Sequence, residues 1–314
     1  TDIIAGATSE GALLLSEDKG YNWRKQQVYP ESSGLAGVGF FGVAITPSKR
    51  FAVCGAGGII ADSLSSWRRP YTTPVQYTGP FGAGIDHIAF IDPDNGLAVG
   101  SNGFMLRTKN GGDTWENISK NIGFYAYFTS AEYKAPDALF LSASNGTIYK
   151  STDGGTSIDL LFTEPDNGNI VAMNFLNTDT GWMAVNTYFT DPDTYETTYG
   201  NRIYKTTDAG ENWLLSNTSF PAVAYQDAVI FDDIKFADAN TGYLLANNGR
   251  VYKSTDGGDN WLLQTNVPEF VKDKTMSSLS VTSIDTVYAS GWAGTVMKTT
   301  DGGTNWVMAN NGLP

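Results

Sequence analysis

Two groups of carboxylates in this sequence have the residue types that acid–base chemistry needs. Three open apolar segments and three share one polar run: Asp86, Asp232 and Asp233, and then Asp191, Asp193 and Glu196 in NTYFTDPDTYETTYGN. Two carboxyl groups across a cleft are the minimum for hydrolysing a glycosidic bond, and clustered carboxylates also suit Ca²⁺. Carboxylates at such positions are more often loop caps or solvated loop residues. We favour that interpretation and keep glycoside hydrolysis as the alternative.

Other reactive residues are too few for the common catalytic arrangements. His87 is the only histidine, so neither a multi-histidine zinc site nor a histidine relay with a spare can be built. Cys54 is the only cysteine and lies in the apolar segment FAVCG, which predicts a buried thiol. No phosphate-binding or dinucleotide-binding glycine motif follows a strand and opens a helix. The sequence therefore predicts no metal and no cofactor.

Aromatic residues in the irregular segments indicate recognition rather than catalysis. These segments are residues 71–84, 187–201, 219–229 and 266–276. Aromatic side chains edged by acidic ones suit a surface that binds protein or sugar, although several of them could instead plug a channel or fix the loops. The candidate ligand-binding residues are Tyr77, Phe81, Asp86, Tyr188, Phe189, Tyr195, Tyr225, Asp232, Asp233 and Phe270.

The elements that position these residues follow from a repeated eight-residue motif. Its copies are SEDKGYNW (16–23), IADSLSSW (60–67), TKNGGDTW (108–115), STDGGTSI (151–158), TTDAGENW (206–213), STDGGDNW (254–261) and TTDGGTNW (299–306). The equivalent Asp or Asn positions are 44, 48, 43, 55, 48 and 45 residues apart. Self-similarity at this period is typical of repeat architectures.

Each motif predicts a hairpin turn held by its own side chains. The Asp is expected to accept hydrogen bonds from backbone N–H groups one to three residues later, and the Ser or Thr hydroxyl to add a second local bond. The glycines permit positive φ. The Trp five residues after the Asp begins the next strand, and we expect its ring to pack under the turn.

Strand signals return in the same order between the motifs, as in HIAFIDPDNGLAVGSNGFMLRTK. Four short strands at this period predict the blades of a β-propeller. We therefore predict an all-β, seven-bladed propeller that forms a single domain, residues 1–314. The first blade should lack its innermost strand, because DIIAGAT matches a second strand. The predicted blades span about residues 1–29, 36–71, 84–119, 124–163, 169–219, 228–265 and 276–311.

Blade topology separates the motifs from the candidate site. The motifs join third to fourth strands, so they lie at the same end as the turns between first and second strands. The opposite end of each sheet holds the segment that enters the first strand and the turn from the second strand to the third. We call it the box-free end, and we expect ligands there because variable loops on a rigid scaffold carry function.

Composition restricts the partner. The formal net charge is −13, with 33 acidic and 20 basic residues. This argues against nucleic acid or an anionic membrane surface as a partner, and no apolar run is long enough to predict membrane insertion. The first residue is Thr1, without Met or a signal peptide, which suggests a processed protein or a fragment. We expect an extracytoplasmic bacterial protein, either secreted or at the cell surface.

The motif S/T-x-D-G-G-x-x-W, preceded by segments such as FIDPDNGLAVG and FLNTDTGWMAV, resembles the Asp-box (BNR) repeat and is similar to the Ycf48-like family. This resemblance covers almost the whole chain and implies a seven-bladed propeller. It leaves function open, because Asp-box propellers include sialidases, xyloglucanases, sortilin-type receptors, assembly factors and many secreted bacterial proteins of unknown role. A sialidase would need three arginines at the channel, whereas all seven arginines fall in second, third or outermost strands. We therefore predict a non-enzymatic interaction or scaffold module that binds a protein partner, or alternatively a glycan, within a larger assembly.

Overall fold

The computed structural model describes residues 3–28, 39–45, 51–56, 59–62, 68–71, 84–119, 126–135, 137–224, 228–272, 274–292 and 294–311. In these ranges the chain is almost entirely β-structure, in seven antiparallel sheets. Two short 3₁₀ helices interrupt it, at Ser101–Gly103 and Glu269–Val271. Among the described residues, no helix combines the length and apolar character needed to cross a membrane.

The strands of the first four sheets follow one another along the chain. They are β1 (Ile4–Ala7), β2 (Ala12–Ser16) and β3 (Arg24–Gln27); β4 (Phe40–Ile45), β5 (Phe51–Gly55), β6 (Ile59–Asp62) and β7 (Arg68–Tyr71); β8 (Ile85–Phe90), β9 (Gly96–Gly100), β10 (Met105–Thr108) and β11 (Glu116–Asn117); β12 (Phe128–Tyr133), β13 (Leu139–Ala143), β14 (Thr147–Ser151) and β15 (Asp159–Thr163).

The last three sheets repeat this order with one addition. They are β16 (Asn169–Phe175), β17 (Gly181–Thr190), β18 (Thr197–Thr206) and β19 (Leu214–Leu215), with β20 (Phe220–Ala224) paired to β18; β21 (Phe231–Phe236), β22 (Gly242–Ala246), β23 (Arg250–Ser254) and β24 (Leu262–Leu263); β25 (Met276–Val281), β26 (Val287–Gly291), β27 (Thr295–Thr299) and β28 (Val307–Met308).

The architecture confirms an all-β propeller built from four-stranded blades, but the prediction of seven such blades is wrong. Six sheets have the complete order of first, second, third and outermost strand, and the N-terminal sheet has three strands in its described part. The reason is physical. The repeated motif marks the hairpin between the third and outermost strands, so counting motifs counts outer hairpins rather than complete blades.

Contacts divide the chain into two compact units. One consists mainly of Thr1–Leu141 and Tyr149–Leu160, and the other of Ser142–Ile148 and Leu161–Gly312. Within the first unit, β4 lies against β8 and β8 against β12. Within the second, β16 lies against β21 and β21 against β25. In each unit the first strands of successive sheets are therefore neighbours.

Every motif whose side chains are described forms the same clasp. In the sixth copy, Ser254 Oγ donates to Asp256 Oδ1 (2.8 Å) and accepts from Gly258 N (2.9 Å), while Asn260 N donates to Asp256 Oδ1 (2.9 Å). The same three bonds recur in the motifs that begin at residues 16, 108, 151, 206 and 299. In each of these motifs the Asp or Asn side-chain oxygen accepts from the N–H of the fourth residue after it, rather than from the first three as expected.

The turn between first and second strands supplies a second repeated contact. Phe236 ends β21, and its ring lies edge-on to Trp261 of the motif, with centroids 5.7 Å apart. Phe90 with Trp115 and Phe175 with Trp213 repeat this arrangement at 6.0 Å. Gly242 opens β22 beside the Phe236 ring, where a Cβ would collide with it. The expected Trp contact under the turn is present, and its partner is the ring that ends the first strand.

Candidate functional site

Exposed aromatic side chains are concentrated at the box-free ends of the sheets. Eight are exposed in the described part of the chain, and only Tyr21 lies in a motif. The other seven lie near the start of a first strand, in the segment that enters it, in the last residues of a second strand, or between second and third strands: Phe41, Tyr127, Tyr188, Phe189, Tyr195, Phe270 and Trp292. Aromatic side chains carry much of the binding energy at protein interfaces. The aromatic surface therefore differs between the two ends of these sheets.

The largest feature of the box-free ends is the hairpin formed by β17 and β18. Residues 187–201 were expected to form a loop, but most of this segment continues the two ten-residue strands, which stay paired from Gly181↔Thr206 to Thr190↔Thr197. Tyr188, Phe189 and Tyr195 are 70, 62 and 81 % exposed. Three of the predicted ligand-binding residues are thus brought together on one hairpin.

A buried carboxylate anchors the base of this hairpin. Glu164 is fully buried and accepts hydrogen bonds from the backbone N–H groups of Asp166 (2.9 Å) and Gly168 (2.8 Å). Its other oxygen accepts from Arg202 Nη1 (2.6 Å) and Tyr204 Oη (3.1 Å), both from β18. Burial and the Glu164 charge raise the pKa of Tyr204 to about 12. Each carboxylate oxygen of Glu164 thus accepts two hydrogen bonds. The cluster therefore fixes the position of β18 at the base of the hairpin.

A second anchor joins the hairpin to the neighbouring sheet. Asn186 accepts from the N–H of Phe231 (2.9 Å) and donates to its carbonyl (2.9 Å), while Asn201 donates to Asn186 Oδ1 (2.7 Å). Asn186 is also the last residue of β17 that pairs with β16. The hairpin is therefore held up to residues 186 and 201, and its aromatic residues lie beyond this point.

The candidate pair Asp232 and Asp233 separates into two environments. Asp233 is buried, and its oxygens accept from Ile234 N (2.8 Å) and Leu279 N (2.8 Å) and lie 3.5 Å from Lys235 Nζ. Asp232 is the extra residue of a β-bulge in β21. Its Oδ2 is buried without a hydrogen-bond partner, and burial followed by the Asp233 charge raises the pKa of Asp232 to about 7. Because the carboxylate of Asp233 is buried and hydrogen-bonded within the protein, it does not supply the second carboxylate of a hydrolytic pair.

The remaining candidate residues are spread over the chain. Asp86 is the bulge residue of β8, and burial raises its pKa. Phe270 lies in the 3₁₀ helix before β25, with Lys274 Nζ 4.8 Å from its ring centroid. Tyr77, Phe81 and Tyr225 lie outside the described residues.

The acidic hairpin tip is organised by a turn. Asp191 Oδ1 accepts from the N–H groups of Asp193 (2.8 Å) and Thr194 (3.0 Å). These hydrogen bonds, that of Thr194 first, lower the pKa of Asp191. In the described part of the chain no three His, Cys, Asp or Glu residues form a group suited to a metal ion. The geometry is that of a turn cap, which is the interpretation favoured from the sequence.

Comparison with known proteins shows which family this chain resembles. Residues 215–314 match the family model described as photosynthesis system II assembly factor YCF48. A solved structure of YCF48 bound to D1 peptide has a TM-score of 0.66 at 17 % identity, covering 95 % of this chain and 90 % of the other. The chain is therefore similar to the Ycf48-like family of BNR-repeat propellers, by sequence over its last third and by fold over almost its whole length.

The curated relatives that the chain matches have the same description. The photosystem II assembly lipoprotein Ycf48 of Trichormus variabilis is 27 % identical over 136 residues, which is 43 % of this chain and 36 % of the relative. That of a Synechococcus species is 27 % identical over 134 residues, or 42 and 36 %. The matched part spans little more than a third of these relatives. They are named as assembly proteins rather than enzymes, in agreement with the non-enzymatic prediction.

The propeller fold is shared with enzymes as well. A GH74 xyloglucanase from Xanthomonas campestris has a TM-score of 0.74 at 14 % identity, covering 99 % of this chain and 53 % of the enzyme. At this identity the likeness concerns the fold, and function has to be argued from the site.

Sequence reasoning missed three exposed aromatic residues of the chain. Trp292 lies in the turn between β26 and β27 and is 74 % exposed, Phe41 is the bulge residue of β4, and Tyr127 directly precedes β12. All three occupy positions that the blade pattern assigns to the box-free end. Comparing short turns as well as long insertions between repeats would have found Trp292.

Proposed function

We propose that this chain is a non-enzymatic, extracytoplasmic binding module that contacts a protein partner through the box-free ends of its sheets as part of a larger assembly. The observation that carries the proposal is that seven of eight exposed aromatic side chains in the described residues lie at these ends. Folding does not require aromatic side chains that remain exposed to solvent. Exposed aromatic side chains are, however, the anchors of many protein interfaces.

The motif ends are built for a different purpose. Their Asp and Ser or Thr side chains are used in bonds within the turn, and their Trp rings pack against the Phe at the end of the first strand. Little of their chemistry is left for a partner. The box-free hairpin, in contrast, is anchored by Glu164 and Asn186 and presents Tyr188, Phe189 and Tyr195 to solvent. Anchoring the base lowers the entropic cost of ordering this surface on binding.

The proposed partner follows from the family. A Ycf48 structure holds D1 peptide, and the curated relatives are named for photosystem II assembly, so a D1 peptide is the first defined probe. The name lipoprotein in these relatives supports an extracytoplasmic location, which fractionation of the source cells would test. If a deglycosylated partner fails to bind while protease treatment has no effect, the partner is a glycan and the protein assignment is wrong.

The decisive experiment compares the two ends. Tyr188→Ser, Tyr195→Ser and Trp292→Ser are combined in one variant, and Tyr21→Ser is the matched control at a motif. Each protein is used for affinity capture from source-cell extract, and the captured protein is then purified and titrated, with D1 peptide titrated in parallel. We expect the triple variant to bind at least about tenfold more weakly and the control to bind normally. Equal binding by all proteins, or the absence of any partner, would overturn the proposal.

A further inference from the structure

The outer half of β17 is a sheet edge that the described chain leaves open. β16 pairs with β17 from Gly181 to Asn186 and no further. Thr187–Thr190 continue to pair with β18 on the other side. In the described residues, no strand pairs with Thr187–Thr190 on the side that faces away from β18.

The alternation of hydrogen-bonded pairs along β17 and β18 shows which backbone groups lie at this edge. Asp191 N donates to Glu196 O (2.9 Å), which makes this pair a hydrogen-bonded one. Hydrogen-bonded and non-hydrogen-bonded pairs alternate along an antiparallel ladder. Phe189 and Thr187 therefore bond to β18, whereas Tyr188 and Thr190 direct their N–H and C=O groups towards the open edge. These two residues provide the spacing that an added strand requires.

The two edges of the hairpin differ in whether another strand covers them. β18 is covered on its outer side by β20, through the pairs Thr198↔Ala224 and Tyr199↔Val223. β17 has no such cover in the described structure, and its sequence Thr-Tyr-Phe-Thr consists of strong strand formers without Pro or Lys. Natural proteins usually protect an edge with Pro, Lys, a bulge or a covering segment. An unprotected edge is the feature that peptide-binding domains use for strand addition.

The acidic charge of the hairpin indicates which kind of strand would bind at this edge. Residues 187–201 contain Asp191, Asp193 and Glu196 and no Lys or Arg. A basic segment is attracted to this tip, whereas a second copy of the hairpin would place two acidic tips side by side. We propose that Thr187–Thr190 binds an extended, basic peptide segment of the partner as an additional antiparallel or parallel β-strand. The proposal rests on the proposed function and specifies how the hairpin would engage that partner.

The exposed rings complete the surface. Tyr188 and Phe189 are consecutive, so their side chains lie on opposite faces of the hairpin. An added strand would pass between them, with alternate side chains against each ring. Main-chain bonds would supply affinity, and the rings with the acidic tip would supply selection for apolar and basic residues.

A proline substitution separates backbone pairing from side-chain contact. Tyr188→Pro removes the outward N–H, and its matched control Tyr188→Ala removes the same ring but keeps the donor. Proline is tolerated at an edge position whose N–H faces solvent. The probe is a labelled synthetic peptide of about ten alternating Lys and Val residues, and a Glu and Val peptide of equal length is the charge control. Melting curves establish that each variant is folded, and Thr190→Pro serves as a second variant.

We expect the Lys and Val peptide to bind wild type, and Tyr188→Pro to bind it at least about tenfold more weakly than Tyr188→Ala. Thr190→Pro should weaken binding similarly. Equal affinities of the Pro and Ala variants, absence of peptide binding, or equal affinity for the acidic peptide would overturn the proposal. Dimerisation of wild type that Tyr188→Pro abolishes would identify a second copy as occupant and would also overturn it.

The native partner distinguishes this failure from failure of the proposed function. If the captured partner binds Tyr188→Pro and Tyr188→Ala equally but does not bind the triple aromatic variant, strand addition is wrong and the box-free surface remains the binding site. If the triple variant binds normally, the proposed function itself is wrong.

Discussion

The two ends of each blade differ in how regularly their structure repeats. At the motif ends, six clasps have the same bonds, and the distance from the Ser or Thr hydroxyl to the Asp or Asn carboxyl or amide oxygen stays between 2.8 and 2.9 Å. At the box-free ends one finds a long hairpin, a 3₁₀ helix and a short turn that exposes Trp292. The repeated bonds hold the turns, whereas the irregular segments form the surface that we propose for binding. Four predictions test this division.

The largest expected effect is on the core beside the motif. Phe236 stacks on Trp182 with centroids 3.5 Å apart and lies edge-on to Trp261. Phe236→Ala should lower the free energy of unfolding by about 3 to 5 kcal/mol, because the large cavity cannot collapse between two indole rings. Urea denaturation measures the change, with exposed Phe189→Ala as control at about 0.5 kcal/mol or less. Similar losses in both variants would show that the two ends do not differ.

Removing one clasp hydroxyl should have a smaller effect. Ser254 is fully buried, donates to Asp256 and accepts from Gly258 N. Ser254→Ala leaves that buried N–H without a partner, so the expected cost is about 1 to 3 kcal/mol. The exposed Ser280→Ala in β25 is the control and should be neutral. A neutral Ser254→Ala would mean that the repeated bonds contribute nothing to stability.

The partly buried carboxylate Asp232, near the start of β21, should show its effect through the pH dependence of stability. The pKa of Asp232 is raised from 3.8 to about 7 in the folded protein, so the folded state holds its proton more tightly than the unfolded state. Stability from this group is present below pH 4 and is lost as pH rises through about 7. Asp232→Asn should therefore be more stable than wild type at pH 8, on the order of 1 to 2 kcal/mol because partial exposure screens the charge.

Unfolding free energies at several pH values measure this difference. The variant and wild type should converge towards pH 4. Asp193→Asn at the exposed hairpin tip changes the formal charge equally and should give a curve parallel to wild type. Parallel curves for Asp232→Asn as well would contradict the assignment.

The smallest stability effect belongs to the surface proposed to bind. Tyr188→Ser and Phe189→Ser replace side chains that are 70 and 62 % exposed. We expect each to change the free energy of unfolding by less than about 0.5 kcal/mol. Thermal denaturation gives this result independently of any partner. A loss comparable to that of Ser254→Ala would indicate that these rings fold the hairpin rather than serve recognition.

The sequence predicts the repeated part of this molecule well, because its signals are local. The motif, the preceding Phe and the Gly that opens the second strand lie within one repeat, and the structure places Phe236, Gly242 and Trp261 in contact. The positions of the arginines are also as expected where they are described. Arg24 lies in an outermost strand, and Arg107, Arg202 and Arg250 lie in third strands.

Features that depend on distant residues could not be predicted. Glu164 is buried against Arg202, which lies 38 residues later, and nothing near TEPDNG indicates such a partner. Asp233 resembles a free acid at a strand start, yet it accepts from Leu279 N in the next sheet. The 55-residue interval predicts an inserted loop over residues 187–201, but Gly200 lies in β18 and only residues 191–196 connect the two strands. Only pairing across the two strands decides this.

The contact between Thr190 and Thr197, at the ends of the two hairpin strands, makes the hairpin tip a suitable place for inserting another sequence. Thr190 Oγ1 and Thr197 Oγ1 are 2.9 Å apart, so the six residues between them begin and end at almost the same place. A folded domain whose own termini are adjacent could replace Asp191–Glu196 without stretching the sheet below. The same geometry makes this tip a practical position for an inserted reporter or an affinity tag, and a natural one for the gain of new domains.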